Sequence, residues 1–284
     1  MYCDFFGFSE KPFTITPNPH FVFLSSIHRE AFARLLYGVD SHAGFIALTG
    51  EVGTGKTTML RTLLTQLAPE KYSSALIFNP CVSAEQLLAG ICREFGVEAD
   101  DKGYLDALNR FLLEQSAAGR TVVLVIDEAQ NLTPDVLEQI RLISNLETEQ
   151  EKLIQIILAG QPELNDVLRR HDLRQLNQRI TVRCRLTPMK LDDTAHYIDH
   201  RLNISGSRIP NIFSRGAIRR IYRFSHGVPR LINVVCEQAL VMAWTREIRS
   251  ISPAIAAEVI SELQAADECE GFWYRIMHWL FAGK

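Results

Sequence analysis

The sequence predicts an α/β fold, a three-layer sandwich around a parallel five-stranded sheet, followed by a small all-helical domain. Three observations predict it. An apolar run, Gly44-Phe45-Ile46-Ala47-Leu48, leads into Gly50-Glu51-Val52-Gly53-Thr54-Gly55-Lys56-Thr57, and Met59, Leu60, Leu63, Leu64 and Leu67 then recur at helical spacing. A second apolar run, Val122-Val123-Leu124-Val125-Ile126, ends abruptly in Asp127-Glu128. After Pro188 the strand patterns stop and helical segments take over.

The first observation carries the chemistry. Gly50 to Thr57 fits G-x-x-x-x-G-K-[ST], the loop that cradles phosphates. Its glycines let backbone N–H groups converge on an anion without Cβ clashes. The helix that follows turns its positive end to the same place. Lys56 is expected to reach the β- and γ-phosphates of ATP, and the Thr57 hydroxyl to hold Mg²⁺. The candidate nucleotide-binding residues are therefore Gly50, Glu51, Val52, Gly53, Thr54, Gly55, Lys56, Thr57 and Thr58.

Composition sets the bounds. With 284 residues, 47% of them hydrophobic, the chain can bury the core of one large or two modest domains. A formal net charge of −3 excludes a chain that is basic throughout, as nucleic-acid-binding polycations are. No apolar run approaches a membrane span, and Met1-Tyr2-Cys3-Asp4 lacks the basic start of a cleavable leader. The six cysteines form no C-x-x-C pair, which argues against a zinc or redox site; reduced thiols in the cytosol are expected.

Residues 1–27 are rich in aromatics and proline, with no helical period. Phe5-Phe6-Gly7-Phe8, Pro12-Phe13 and Pro17-Asn18-Pro19 predict an extended arm pinned to a core by its rings. Such an arm caps a domain or closes over an adenine ring. A helix is expected from His28 to Tyr37, with Ala31, Leu35 and Leu36 on one side. Ala75-Leu76-Ile77-Phe78 predicts the next strand. Ser83 and Gln86 form a capping box for a helix whose inner face is Leu87, Leu88, Ile91 and Phe95. Tyr104, Leu105, Leu108, Phe111 and Leu112 predict another, closed near Gly119.

The run from Val122 to Ile126 has the pattern of a parallel strand buried on both faces. Acids at its C-terminal end lie where open α/β sheets bind ligands. Asp127 is expected to orient Mg²⁺ through its water shell, and Glu128 to polarise the water that attacks the γ-phosphate. The strand at 75–78 falls between the phosphate-loop strand and the Asp-Glu strand. That spacing marks the P-loop branch with a strand inserted between the two motifs.

Thr133 is the expected cap of the next helix, with Pro134 at its first position. Leu153 to Ala159 predicts a fourth strand, ending at Gly160-Gln161. Gln161 either senses the γ-phosphate and the attacking water or satisfies its own loop. A basic segment follows: Arg169, Arg170, Arg174, Arg179, Arg183 and Arg185, with Asp172 its only acid. Ile180, Val182 and Cys184 alternate with polar residues as a fifth strand. Arg179, just before that strand, is the candidate to reach a neighbouring subunit's γ-phosphate in a ring, with Arg183 in reserve. Most of these arginines fit a solvated basic face.

Four helices are expected beyond Pro188: Asp193–Leu202, Ser214–Phe224, Pro229–Trp244 and Ser252–Leu263. Ser214 and Ser252 look like caps, and Pro229 and Pro253 like first-turn prolines. Arg230, in a first turn, can point back at bound nucleotide across a domain cleft. The expected division is 1–187 as a nucleotide-binding domain with its N-terminal arm, 188–267 as a helical lid, and 268–284 as an aromatic tail. In the tail Phe272, Trp273, Ile276, Met277, Leu280 and Phe281 share one helical face. It is too short to span a bilayer, and fits a membrane surface, a partner or its own domain.

With these residues in place the chain resembles the ExeA/GspA-type AAA+ ATPases of bacterial secretion and pilus systems. It looks most like the short MshM-like members tied to mannose-sensitive haemagglutinin (MSHA) pili. The resemblance rests on Tyr2…Phe5-Phe6-Gly7, Pro12-Phe13, Thr16-Pro17, His28-Arg29-Glu30-Ala31 and Leu36-Tyr37-Gly38. It continues through Leu48 to Thr58, Ile126-Asp127-Glu128-Ala129-Gln130, Leu158-Ala159-Gly160-Gln161-Pro162, Gln178-Arg179-Ile180 and Gly227-Val228-Pro229-Arg230. It implies Walker A at Gly50–Thr57, Walker B at Asp127-Glu128, sensor 1 near Gln161, an arginine finger near Arg179 and sensor 2 at Arg230. It also implies a homo-oligomeric ring formed on ATP binding, with a hexamer as the candidate size. ATP-driven assembly work on an envelope complex, beside an integral-membrane partner, is implied too. The expected location is cytoplasmic or peripheral at the inner membrane. Longer members look like an ATPase, a membrane span and a peptidoglycan-binding domain. This sequence ends after the ATPase and a short tail, which makes a separate membrane partner more necessary.

Two other readings compete. A DNA-bound regulator of the TnsC or MuB transposition type shares this architecture, and the basic clusters at 169–190 and 201–230 could contact DNA phosphates. A nucleotide switch with negligible turnover is the third.

Overall fold

The computed structural model describes residues 2–16, 18–78, 83–99, 103–146, 152–207 and 209–265. Cys81, Arg208, Cys269 and the expected tail at 268–284 lie outside them. In chain order the elements are α1 (Tyr2–Phe6), α2 (Ser26–Asp40), β1 (Phe45–Gly50), α3 (Lys56–Gln66), β2 (Tyr72–Ile77), α4 (Ala84–Glu94) and α5 (Tyr104–Ala117). Next come β3 (Thr121–Ile126), α6 (Pro134–Ile143), β4 (Ile154–Gly160), α7 (Glu163–Leu168), α8 (Arg174–Arg179) and β5 (Ile180–Leu186). The remainder is helical: α9 (Leu191–Ile204), α10 (Arg215–Ser225), α11 (Pro229–Thr245) and a last helix over residues 253–265. Single 3-10 turns occupy Pro19–Phe21, Ala129–Asn131 and His171–Leu173.

The chain divides into two compact units, Asn18–Thr187 and Met1–Pro17 with Pro188–Lys284. In the first, five strands pair in the order β2-β3-β4-β1-β5, and every pairing is parallel. Strand alternation sends successive side chains to opposite faces. Phe45, Ala47, Leu124, Ile156 and Leu158 pack with Leu87, Ile91, Leu108, Leu112, Leu137 and Ile140 from α4, α5 and α6. Ile46, Leu48, Val123, Val125 and Ile157 pack with Ala31, Leu35, Met59, Leu60 and Leu63 from α2 and α3. Both faces are covered, which is why β1, β3 and β4 are apolar almost without a break.

The strand inserted between the two motif strands is not the one at 75–78. The segment at 75–78 lies between the two motifs in the chain, but in space β2 is an edge strand. It is β4 that sits between β1 and β3. Burial follows this order: β4 is buried at all seven positions, whereas β2 is buried only at Ala75. The expected capping box is present, with Ser83 and Gln86 each accepting from the other's backbone N–H. Thr133 stands at the N-cap position of α6 but makes no side-chain capping bond; Pro134 holds the first helical position, with Asp135 in the first turn.

Among the described residues the second unit is helical, with an isolated bridge between Phe213 and Ile251. Ser214 Oγ accepts the Ala217 N–H at 3.2 Å, and Ser252 Oγ that of Ile255 at 3.3 Å, so both expected caps form. The N-terminal segment was expected to be extended and to accompany the nucleotide-binding domain. Instead Tyr2–Phe6 is helical, and Met1–Pro17 groups with the helical unit. A five-residue helix is too short to show a 3.6-residue period, and packing rather than propensity forms it. Tyr2 donates to both carboxylate oxygens of Glu237 at 2.7 and 2.8 Å. Phe6 stacks on Phe8, with centroids 5.6 Å apart, and Phe13 meets Phe213 edge-on at 5.9 Å. The arm is pinned by its rings, as expected, but to α11 and its neighbours.

Candidate active site

Three adjacent strand tips build the site. In a parallel sheet all C-terminal ends share one edge, and β3, β4 and β1 are neighbours. Thr49 lies opposite Gly160, and Ile126 opposite Leu158, so the tips are level. The phosphate loop, the Asp127-Glu128 pair and the Gly160-Gln161 turn therefore open on the same edge.

The loop is shaped for an anion. Gly53 and Gly55 take φ of +78° and +97°, a region that side chains with a Cβ avoid. Gly55 is the N-cap of α3, and no side chain caps that helix start. Its first-turn N–H groups and its dipole thus face the cradle without a competing acceptor from the cap residue. Thr54 is fully buried, and its hydroxyl donates to the Glu51 carbonyl at 2.8 Å, closing the turn. Glu51 and Val52 form the exposed rim, and Thr58 is half-buried on α3.

Lys56 is 5% exposed, and its ammonium donates to the Gly50 carbonyl at 2.7 Å and the Glu51 carbonyl at 3.1 Å. Burial lowers its pKa, while the carboxylates of Glu128, Asp127, Glu51 and Glu163 pull the other way. A buried cation whose hydrogen bonds among the described residues go to backbone carbonyls, inside a glycine turn, is a seat for a stronger anion. Thr57 Oγ1 donates to Asp127 Oδ2 at 2.6 Å. Asp127 is 2% exposed, and its other oxygen accepts the Glu128 N–H at 2.9 Å. A hydroxyl and a carboxylate oxygen in contact are hard oxygen donors of the kind Mg²⁺ takes. The residues present fit a nucleotide with its magnesium.

Gln161 joins this group, since its Nε2 donates to Glu128 Oε2 at 3.4 Å. Arg179 does not, because its guanidinium donates to Ser144 Oγ at 3.0 Å and to Asn145 Oδ1, at the end of α6. Arg183 is bound to Asn177. Arg230 is exposed in the first turn of α11, in the helical unit.

Two residues escaped sequence reasoning. His28 Nε2 meets the Thr54 carbonyl at 3.0 Å and its Nδ1 meets Ser25 Oγ at 2.7 Å, so α2 braces the loop. The available signal was a polar residue on the apolar stripe of His28, Ala31, Phe32 and Leu35. Gln130 bonds both Glu128 and Gln161. The sequence offered it only as the last residue of Ile126-Asp127-Glu128-Ala129-Gln130, with no role attached.

A profile described as an AAA domain matches residues 39–168. The chain is 45% identical over 280 residues to general secretion pathway protein A of Aeromonas hydrophila, covering 96% of this chain. The chain is a homologue of that protein, built on the P-loop AAA+ fold. It spans half the length of this curated relative. The ORC2 protein of Aeropyrum pernix, in ADPNP-ADP complexes, is 18% identical with a TM-score of 0.67, over 87% of this chain and 72% of that one. Cdc6p of Pyrobaculum aerophilum is 19% identical with a TM-score of 0.65, over 86% and 70%. At those identities the likeness shows the AAA+ fold alone. No helix among the described residues is long and apolar enough to cross a membrane.

Proposed function

We propose that the chain binds ATP with Mg²⁺ in the Gly50–Thr58 cradle, hydrolyses it, and uses the cycle to assemble or remodel a bacterial secretion or MSHA-like pilus complex. One observation supports this most: Lys56, Thr57, Asp127 and Glu128 converge at neighbouring strand tips, with Thr57 and Asp127 already 2.6 Å apart. Lys56 exchanges its carbonyl partners for phosphate oxygens. Thr57 and Asp127 would hold the magnesium, which when bound would neutralise charge on the phosphates. Glu128 takes the proton of the attacking water, and Gln161 orients that water. Arg230 serves the nucleotide from the helical domain. Arg179 leaves Ser144 and Asn145 to serve the γ-phosphate of a neighbouring copy, in a ring that forms on ATP binding.

The general secretion relative supports a secretion setting; within this proposal the chain works at the cytoplasmic side of the inner membrane beside an integral-membrane partner. Calorimetry tests the first step: Lys56→Ala should weaken ATP·Mg²⁺ binding by tenfold or more, since a charge-assisted contact is worth about 1.5–3 kcal/mol. Unchanged affinity counts against the cradle. Co-purification with inner-membrane secretion or pilus proteins tests the setting.

A DNA-bound regulator of the TnsC or MuB type is the second reading. It is favoured by Arg215, Arg219, Arg220 and Arg223, all exposed on α10 and without a carboxylate partner among the described residues. DNA affinity that falls steeply with salt and rises with ATP selects this reading.

A further inference from the structure

Gln130 does more than fill the 3-10 turn after the acid pair. Its Nε2 donates to Glu128 Oε2 at 2.6 Å, and its Oε1 accepts the Gln161 backbone N–H at 3.0 Å. Gln161 Nε2 donates to the same Glu128 oxygen at 3.4 Å. One side-chain amide thus ties the tip of β3 to the tip of β4 and closes a ring through the carboxylate. Both donors act on Oε2, and Oε1 of Glu128 accepts from no side chain or backbone group among the described residues.

The backbone is arranged around this amide. Glu128 sits in the left-handed region at φ +54°, and the turn Ala129–Asn131 follows directly. A Cβ on Gly160 would lie 2.5 Å from Gln130 Oε1 and 3.3 Å from its N. The strand next to the acid pair therefore carries no side chain where the amide packs. A glutamate without such partners samples several staggered rotamers.

We propose that Gln130 is the positioning residue of the general base. By fixing Oε2 it aims Oε1 at the water, in register with the Gln161 amide. The inference rests on the reading of Glu128 as the base. Gln130 acts through Glu128, so it is not itself catalytic.

Steady-state phosphate release by the full chain tests it. Gln130→Met keeps the length and removes both hydrogen bonds. It should lower kcat by about ten- to a hundredfold, the scale of a misaimed reacting group. KM for ATP and calorimetric ATP affinity should stay at wild-type values, while the two lost hydrogen bonds lower the thermal midpoint only modestly. Gly160→Ala should reproduce the kcat loss by displacing the amide. Added to Gln130→Ala, it should cost less than it does alone, because the nearest atom it strikes is gone and only the looser contacts with Leu164 Cδ2 at 3.2 Å and Gln130 N at 3.3 Å remain. A Gln130→Met variant with wild-type kcat, or one that loses turnover only in step with ATP affinity, overturns the proposal. So does full additivity of Gly160→Ala with Gln130→Ala, a result that stands even if Gln130→Met folds poorly. A wild-type chain that releases no phosphate overturns the ATPase reading itself, and this inference with it.

Discussion

Thr57 Oγ1 and Asp127 Oδ2 stand 2.6 Å apart, although 70 positions separate them in the chain. One lies in the first turn of the helix after β1; the other directly follows β3, with β4 between the two strands. The sheet brings two oxygen donors together before any metal is considered. Asp127→Ala should leave ATP binding in chelator at the wild-type value and remove most of the gain that Mg²⁺ brings. Calorimetry with and without magnesium reads this directly. A full magnesium effect in the variant would show that the carboxylate is not a metal-site group.

Arg179 is tied to Ser144 and Asn145, away from the loop of its own chain. If it serves a neighbour, Arg179→Ala should bind ATP normally and lose turnover by at least about tenfold, a fraction of what an arginine finger contributes. Mixing it with Glu128→Gln is the sharper assay. The Glu128→Gln subunit supplies the arginine and the Arg179→Ala subunit the base, so two impaired proteins should recover activity together. No recovery at any ratio would remove the trans-acting arginine.

Gly227 holds the turn between α10 and α11 at φ +79°, and its carbonyl accepts the Met189 N–H at 2.9 Å. A Cβ there would lie 1.9 Å from the Met189 carbonyl oxygen. Gly227→Ala combines left-handed strain with a backbone clash and should cost about 2 kcal/mol or more. At this chain length that lowers Tm by roughly 4 °C or more. Circular dichroism melts check it, and an unchanged midpoint would contradict the close approach.

The legible parts of the molecule were those set by local pattern. Unbroken apolar runs marked β1, β3 and β4 because both faces of a parallel sheet are covered. The glycines and Lys56 marked the loop because few other sequences let backbone N–H groups converge. Ser83-Gln86 marked a helix start because the box is local. What depends on partners far along the chain was not legible. The place of β2 at the edge follows from pairing rather than from its own residues. The helix at Tyr2–Phe6 exists through Glu237 and the aromatic packing, neither of which a short window shows. Thr133 has a cap's chemistry but makes no capping bond. His28 and Gln130 look ordinary in sequence, since their roles lie in contacts with Thr54 and Gln161.

The central claim is that ATP is cleaved between the glycine cradle and the acidic strand tip. Phosphate release at saturating ATP·Mg²⁺, compared between the wild-type chain and Glu128→Gln, tests it most directly. The account predicts steady release by the wild type and a loss of at least about a hundredfold in the variant, with nucleotide affinity retained. Equal rates in the two proteins would contradict it.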